Sequence, residues 1–315
     1  MHEGERMAEN WERETLEKLA FHALQEQRRA RHWSIFFRTL GFLFLFGVLI
    51  LAFKGKNGVE QGISGKHTAL IELSGVISAN STASAEEIDK GLKKAFADSD
   101  TKGVILEINS PGGSPVQAGE INDEIRKLRK EHPNIPIYSV VGEMCASGAY
   151  YVAVATDKIY VDKASIVGSI GVLMDGFGFT GAMQKLGVER RLLTAGVNKG
   201  FLDPFSPMND DQKKYALSML EEIHQQFIQV VRDGRGNRLK ETPDMFSGLV
   251  WTGQKSISMG LTDGLGTTDY VAEKIIGAKE IVDYTPKENV AMRFAKKFGA
   301  TFGSAMLEAM DEKLR

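Results

Sequence analysis

The residues with the clearest chemical potential lie in one stretch, where an apolar run at 139–141 gives way to small residues around Ser147 and then to a helix-like apolar segment. This order predicts a strand, a tight turn and a helix start, with Ser147 at the junction. A serine there can present its hydroxyl in a crevice while N–H groups at the helix start face a developing negative charge. It can also simply cap the helix, a common role for serine at such a boundary. On this stretch alone, both roles stay open.

A second glycine-rich turn, at Gly112 and Gly113, follows an earlier strand-like run. Glycine lets a backbone N–H approach a ligand closely because there is no side chain in the way. The amides of Gly113 and Gly148 could together form an oxyanion hole for a tetrahedral intermediate. Many turns use a glycine pair, so the prediction depends on both turns following strand ends, with one helix and one strand between them.

A serine nucleophile needs a base, and none of the six histidines has the glycine-rich loop context of a residue presented to a crevice. His224 falls on a long predicted helix. Lys199 lies between Asn198 and Gly200 in a loop of small residues, but an amine acts as a base only where burial keeps it neutral. The alternative is that Lys199 is a solvated loop lysine.

Composition limits the remaining possibilities. The chain has 315 residues, of which 43% are hydrophobic and 25% charged, which is enough for one large or two modest domains with a core. A net charge of −2 predicts no strong affinity for nucleic acid. The single cysteine, Cys145, excludes an intramolecular disulfide framework and an all-cysteine metal site. Its position near Ser147 allows a catalytic thiol, although such a cysteine more often fills a core.

Strands and helices alternate around the two turns, which predicts an α/β fold with right-handed crossovers and a crevice beyond the strand C-termini. Ser84 and Ser114 are the predicted N-caps of the first two helices of this domain. The predicted strands are 68–75, 103–109, 135–141 and 158–161, followed by a helix at 210–231 and short returns to the sheet at 248–252 and 260–265.

The N-terminal fifth of the chain differs in character. Residues 1–32 form a charged leader, and residues 33–53 form an apolar segment of about the 20 residues that a membrane-spanning helix requires. A buried core helix is the alternative. No small-residue cleavage site follows, so we expect an uncleaved anchor, with the arginine-rich leader in the cytoplasm and the main domain outside. Residues 54–66 are glycine-rich and predict a flexible tether.

The predicted folded domain spans 67–275, and 276–315 form a C-terminal tail. Within the tail, Phe294, Phe298, Phe302 and Met306 recur every four residues among basic side chains. This spacing predicts an amphipathic helix, which could dock on the domain, on another subunit or on the membrane surface.

Four motifs, in order, resemble bacterial signal peptide peptidases of the SppA type, the serine–lysine peptidases of family S49, in their short form with one catalytic repeat. They are Ile108–Gly113, Met144–Tyr151, Gly168–Val172 and the Lys199–Gly200 loop. The resemblance covers roughly 68–268 and extends to the N-terminal anchor. It implies a Clp protease/crotonase-like catalytic domain, α/β in class, preceded by one transmembrane helix.

The resemblance also implies a role for each matching residue. Ser147 would be the nucleophile, Lys199 the general base, and the N–H groups of Gly113 and Gly148 the oxyanion hole. Ser169 would hydrogen-bond the lysine amine and orient it. Such enzymes assemble into homo-oligomeric rings in which the base can come from a neighbouring protomer, and they require no metal or cofactor.

The sequence therefore predicts a peptidase of the bacterial inner membrane that degrades residual signal peptides or other hydrophobic peptides through an acyl-enzyme. One alternative is a crotonase-type acyl-CoA enzyme, which shares a two-amide oxyanion hole but needs a positioned carboxylate; Glu143 is the only acidic residue beside the serine. Another is a catalytically silent membrane scaffold.

Overall fold

The structure is a computed structural model that describes residues 21, 25–29, 31–48, 50 and 65–287. The chain divides into two compact units, one formed by Met1–Gly62 with Glu288–Arg315 and the other by Ile63–Lys287. Residues 54–64 of the predicted tether at 54–66, most of the leader, and the predicted amphipathic helix at 294–306 lie outside the described residues.

In the first unit, residues 31–48 form a helix, α1, and its large apolar side chains are exposed. Phe42 and Phe44 are examples. Within the described residues, no helix combines the length and the apolar character needed to cross a membrane. The predicted anchor at 33–53 includes residues 49 and 51–53, which lie outside the described part of the chain, so a transmembrane helix stays a prediction.

The second unit alternates strands and helices, which confirms the α/β class. Its strands are β1 (His67–Ser74), β2 (Thr101–Ser110), β3 (Ile137–Ala146), β4 (Lys158–Val161), β5 (Ile166–Gly168), β6 (Val250–Thr252), β7 (Gly264–Leu265) and β8 (Ile281–Asp283). Its helices are α2 (Ala85–Ala97), α3 (Pro115–Glu131), α4 (Gly148–Ala153), α5 (Thr180–Leu186), α6 (Asp210–Arg235), α7 (Gly253–Ser258) and α8 (Thr268–Tyr270), which continues as a π-helical turn over Val271–Ile276.

All eight strands belong to one sheet, in the order β6-β5-β3-β2-β1-β8, with β4 paired to β3 and β7 paired to β4. Every pair is parallel except β5 with β6. The C-terminal ends of β2 and β3 therefore lie side by side, and Ser110 pairs with Cys145. This arrangement brings the Gly112–Gly113 turn and the Ser147 turn to the same edge of the sheet.

The N-cap predictions are confirmed. The Ser84 hydroxyl accepts a hydrogen bond from the Glu87 N–H, and the Ser114 hydroxyl accepts one from the Gln117 N–H. Each cap satisfies an N–H that the first helical turn leaves without a partner. Pro115 starts α3, where a missing N–H costs nothing. The helix α3, which precedes β3, therefore begins two residues after Gly113.

The two faces of the sheet are packed unequally. The main core lies under α2, α3, α4 and α6, and contains Ile71, Leu106, Val141 and other fully buried side chains. A smaller cluster around Ile105, Val140 and Tyr160 is covered by the π-helical turn. The site described below lies on the side of the larger core, since α3, α4 and α6 all contribute to it.

Among the boundaries that differ from the sequence predictions, two change the extent of the sheet. β3 continues through 142–146, where we expected a turn, because the strand changes partner from β4 at Tyr138–Val141 to β5 at Met144–Ala146. The sheet also extends beyond residue 275, the predicted end of the domain, since β8 pairs with Thr68–Leu70 of β1. Pairing with a distant strand leaves no local signal in either segment.

Candidate active site

Ser147 lies between β3 and α4 in a backbone conformation that L-residues rarely adopt, with φ 52° and ψ −124°. Its N–H donates to the Gly168 carbonyl at 2.8 Å, and its carbonyl accepts from the Tyr151 N–H at 3.0 Å. The hydroxyl makes no capping hydrogen bond. The capping alternative for Ser147 is therefore wrong. Positive φ at a residue other than glycine costs free energy and is concentrated at functional sites.

The Gly112–Gly113 turn packs directly against Ser147. Both glycines have positive φ, 94° and 150°. A methyl group added at Gly112 would lie 2.6 Å from the Gly148 nitrogen and 2.8 Å from the Ser147 Cβ, and one added at Gly113 would lie 2.1 Å from the Ile77 carbonyl oxygen. Both the conformation and this close approach require glycine.

The two amides predicted to bind an oxyanion are close together. A methyl group added at Gly148 would lie 3.3 Å from the Gly113 nitrogen. In the described part of the chain, neither the Gly113 N–H nor the Gly148 N–H donates to a protein acceptor. Two free donors beside a serine hydroxyl are what a tetrahedral intermediate requires.

Ser169 follows β5, and its φ of 52° is also positive. Its N–H donates to the Leu249 carbonyl at 2.7 Å, next to β6. Nε2 of His224, on α6, lies 3.3 Å from the Ile170 carbonyl oxygen. This histidine therefore contacts the loop of Ser169 and is not a lining residue of the cavity that contains Ser147.

A cavity of about 540 Å³ opens beside these groups and is lined by Gly113, Ser147, Gly148 and Ser169. Its other walls are largely apolar and include Ala118, Tyr151, Val172, Ile223 and Phe227. The sequence analysis did not identify Tyr151 or Phe227, whose rings lie 5.2 Å apart. Ile223 and Phe227 are four residues apart and so share one face of α6, but this spacing does not indicate what that face contacts.

The cavity lining holds no carboxylate, imidazole or amine among the described residues. Lys199 lies in a turn where its N–H donates to the Gly196 carbonyl at 3.1 Å, and its side chain is exposed. The structure therefore brings together Ser147, Gly113, Gly148 and Ser169, but not Lys199.

Lys199 belongs to residues 173–208, which we call the arm. Large apolar side chains of the arm are exposed: Leu193 is 94% exposed and Val197 is 96% exposed. Its helix α5 has no buried residue. The arm is held by contacts within itself, such as the stacked rings of Phe179 and Phe205 at 5.4 Å, and by contacts with α6, such as the rings of Phe201 and Tyr215 at 5.9 Å.

Two other sequence alternatives can be judged from the same geometry. Cys145 is completely buried in the main core, and burial raises the pKa of its thiol far above the usual range, so a catalytic thiolate at this position is excluded. Glu143 is exposed and does not line the cavity. The crotonase-type alternative therefore lacks its positioned carboxylate.

Comparison with known proteins finds similarity to peptidases. The model of peptidase family S49 matches residues 129–281, which include β3, Ser147, the arm and β6. A protein of Enterococcus faecium with the provisional name signal peptide peptidase SppA is 29% identical over 246 residues, covering 74% of this chain and 71% of that protein. Protease 4 of Haemophilus influenzae is 30% identical over 213 residues, covering 65% of this chain and 34% of that protein.

A protein of Brucella abortus (strain 2308) named Na(+)/H(+) antiporter NhaA is 46% identical over 188 residues, or 60% of this chain. The match covers only 25% of the Brucella protein. The antiporter name therefore describes a much longer protein, of which this chain resembles one quarter.

Proposed function

We propose that this chain, which belongs to peptidase family S49, is a serine peptidase whose nucleophile is Ser147. The observation that carries the proposal is the juxtaposition of an uncapped serine at positive φ with two free backbone N–H groups, at the wall of a largely apolar cavity. A helix cap or a scaffold needs neither the positive φ nor the free donors, which cost stability.

The reaction follows from these positions. The Ser147 oxygen attacks the scissile carbonyl carbon as its proton passes to a base, and the N–H groups of Gly113 and Gly148 stabilise the negative oxygen that forms. The C–N bond then breaks, and the leaving amine takes the proton. Water attacks the resulting ester, again with transfer of a proton to the base, and releases the second product with Ser147 regenerated.

The base in this proposal is Lys199, held by Ser169, and it comes from a second copy of the chain. Two observations support this arrangement. The cavity holds no base of its own among the described residues, and Lys199 lies on an arm whose exposed apolar side chains are typical of a surface that another chain covers. Such covering would also bury the amine, as its neutral form requires.

The substrates we propose are apolar peptides, including residual signal peptides. The side chains that line the cavity beside Ser147, among them Tyr151 and Phe227, are largely apolar and favour an apolar substrate residue. We also propose that residues 33–53 anchor the enzyme in the bacterial inner membrane with the leader in the cytoplasm. The exposed aromatic side chains of α1 support this proposal.

The test of the Ser–Lys pair is labelling and hydrolysis by the full chain. A phosphonate serine probe should modify Ser147 in the wild type, and modification should be lost in Lys199→Ala but retained in Lys185→Ala, a control lysine on the same arm. Ser147→Ala and Lys199→Ala should each lower kcat by about 10³-fold or more, since residues that act as a unit fail together.

A mixing experiment tests where the base comes from. If Lys199 acts on the Ser147 of another copy, co-assembled Ser147→Ala and Lys199→Ala chains should regain part of the wild-type activity, because some sites pair two intact residues. No recovery in verified mixed oligomers would place both residues in one chain. Hydrolysis by Ser147→Ala at the wild-type rate would refute the proposed nucleophile itself.

The anchor is tested separately. The full chain should fractionate with membranes and resist extraction by carbonate, and a chain that lacks residues 33–53 should not. Equal extraction of both forms would contradict the anchor while leaving the peptidase proposal intact.

A further inference from the structure

The oxyanion hole depends on one peptide group, between Gly112 and Gly113, whose N–H must face Ser147. In a trans peptide the C=O and N–H point in opposite directions. The Gly112 carbonyl accepts from the Ile77 N–H at 2.9 Å, so the Gly113 N–H points away from Ile77 and toward the cavity. If this peptide rotated, the catalytic donor would be lost without any change in the fold.

Glycine makes such a rotation easy, because Gly112 and Gly113 have no side chains to restrict their backbone angles. The N–H of Gly112 is held by a second contact: it donates to the hydroxyl oxygen of Ser110 at 3.1 Å. Both polar backbone groups of Gly112 are therefore bound, one by Ile77 and one by Ser110.

Ser110 is held in place by its position in the sheet. It is completely buried and is the last residue of β2, where it pairs with Cys145 of β3, two residues before Ser147. The hydroxyl thus joins the turn of the oxyanion hole to the same sheet that carries the nucleophile. The side chain does not line the cavity.

We infer that Ser110 is a positioning residue for the oxyanion hole: its hydroxyl holds the Gly112 N–H and thereby keeps the Gly113 N–H directed at the substrate carbonyl. The inference rests on the proposed peptidase function. Ser110 acts through the Gly112–Gly113 peptide and not on the substrate, so its loss lowers the stabilisation of the transition state and leaves ground-state binding nearly unchanged.

A pair of isosteric variants isolates the hydroxyl. Ser110→Thr keeps an acceptor oxygen, and Ser110→Val has the same shape without it. We expect kcat of the Val variant to fall about 10- to 100-fold below that of the Thr variant, which is less than the loss of about 10²–10³ seen when an oxyanion donor is deleted outright. KM should change by no more than about threefold, as expected for an interaction made only in the transition state.

A second readout is inhibition by a peptide aldehyde, whose carbonyl oxygen becomes an oxyanion when the Ser147 oxygen bonds to its carbon. The aldehyde should bind the Val variant more weakly by about the same factor as kcat falls, whereas a product peptide should bind both variants equally. A purely structural role would weaken both ligands or neither.

Two further variants complete the test. Ser110→Ala removes the acceptor oxygen without adding a methyl group. Its kcat and aldehyde affinity test the inference if the larger Thr and Val side chains prevent folding. Ser256→Ala is the matched control, because Ser256 is also completely buried and its hydroxyl also bonds to the nearby backbone, here by donating to the Gly253 carbonyl at 2.7 Å, but it does not line the cavity. It should lose stability in urea with kcat unchanged.

Equal kcat and equal aldehyde affinity in the Thr and Val variants would overturn the inference, as would a loss of kcat in Ser256→Ala as large as that in Ser110→Ala. Failure of the proposed function looks different, because the wild type would then show no hydrolysis that depends on Ser147.

Discussion

At most positions an alanine variant is more stable than a glycine variant. The backbone conformation of Ser147 predicts the opposite order of stability at this position. With φ 52° and ψ −124°, this position costs an L-residue on the order of 1–3 kcal/mol. Glycine avoids that cost, but it loses about 0.5–1 kcal/mol relative to alanine through the greater freedom of the unfolded chain. We therefore expect Ser147→Gly to be more stable than Ser147→Ala by up to about 2.5 kcal/mol.

The comparison is clean because both variants lack the hydroxyl and both should be inactive. Any effect of losing the side-chain oxygen cancels in the difference, and only the backbone preference remains. The assay is the free energy of unfolding in urea, with hydrolysis and probe labelling measured in parallel to verify that both variants lose the nucleophile.

Ser139 provides the control within the same strand. It is completely buried in β3, and its φ is not positive. At this ordinary strand position Ser139→Gly should be less stable than Ser139→Ala by about 0.5–1 kcal/mol. If glycine were also the less stable replacement at Ser147, this residue would not be held against its backbone preference.

Three further predictions concern the site and the packing of the domain. Gly112→Ala should abolish probe labelling of Ser147, because its methyl group would lie 2.6 Å from the Gly148 nitrogen; labelling at the wild-type rate would contradict this geometry. Burial, assisted by nearby Glu124, raises the pKa of Asp89 to about 6, so the native state holds a proton that the unfolded state releases between about pH 4 and 6, and Asp89 destabilises the fold above that range. Asp89→Asn should therefore raise the free energy of unfolding by about 1 kcal/mol at pH 7, a value reduced for partial exposure, and by little at pH 4. Cys145 is buried, so a thiol reagent should modify it only after urea unfolding, and early modification would contradict its place in the core.

Much of the fold could be predicted because its signals are local. Ser84 and Ser114 cap helices where the sequence indicates, and the strand-to-turn transition after β2 is marked by adjacent glycines. The position of β8 carries no such signal, since its three residues become a strand only by pairing with β1, about 210 residues earlier in the chain.

The candidate site was predictable for a related reason. Glycine at 112, 113 and 148 indicates that another part of the chain lies close to the backbone there. The structure shows which atoms lie close to each of these glycines. The backbone angles of Ser147 were not predictable from residue type, because serine does not favour positive φ. These angles are held by two hydrogen bonds, one from the Ser147 N–H to Gly168 and one from the Tyr151 N–H to the Ser147 carbonyl.

The proposed oxyanion hole and the proposed lysine base need different surroundings. This difference explains why the described chain contains the first in place and not the second. An oxyanion hole must be rigid, and Gly113 and Gly148 follow strands of a buried sheet. A lysine base must be neutral, which requires burial, and Lys199 lies on an exposed apolar arm. Stabilisation of the oxyanion is thus separable from activation of the nucleophile. A chain whose arm is uncovered should keep both N–H donors in place, yet it should react with a serine probe and hydrolyse amides only when Lys199 is buried beside a serine.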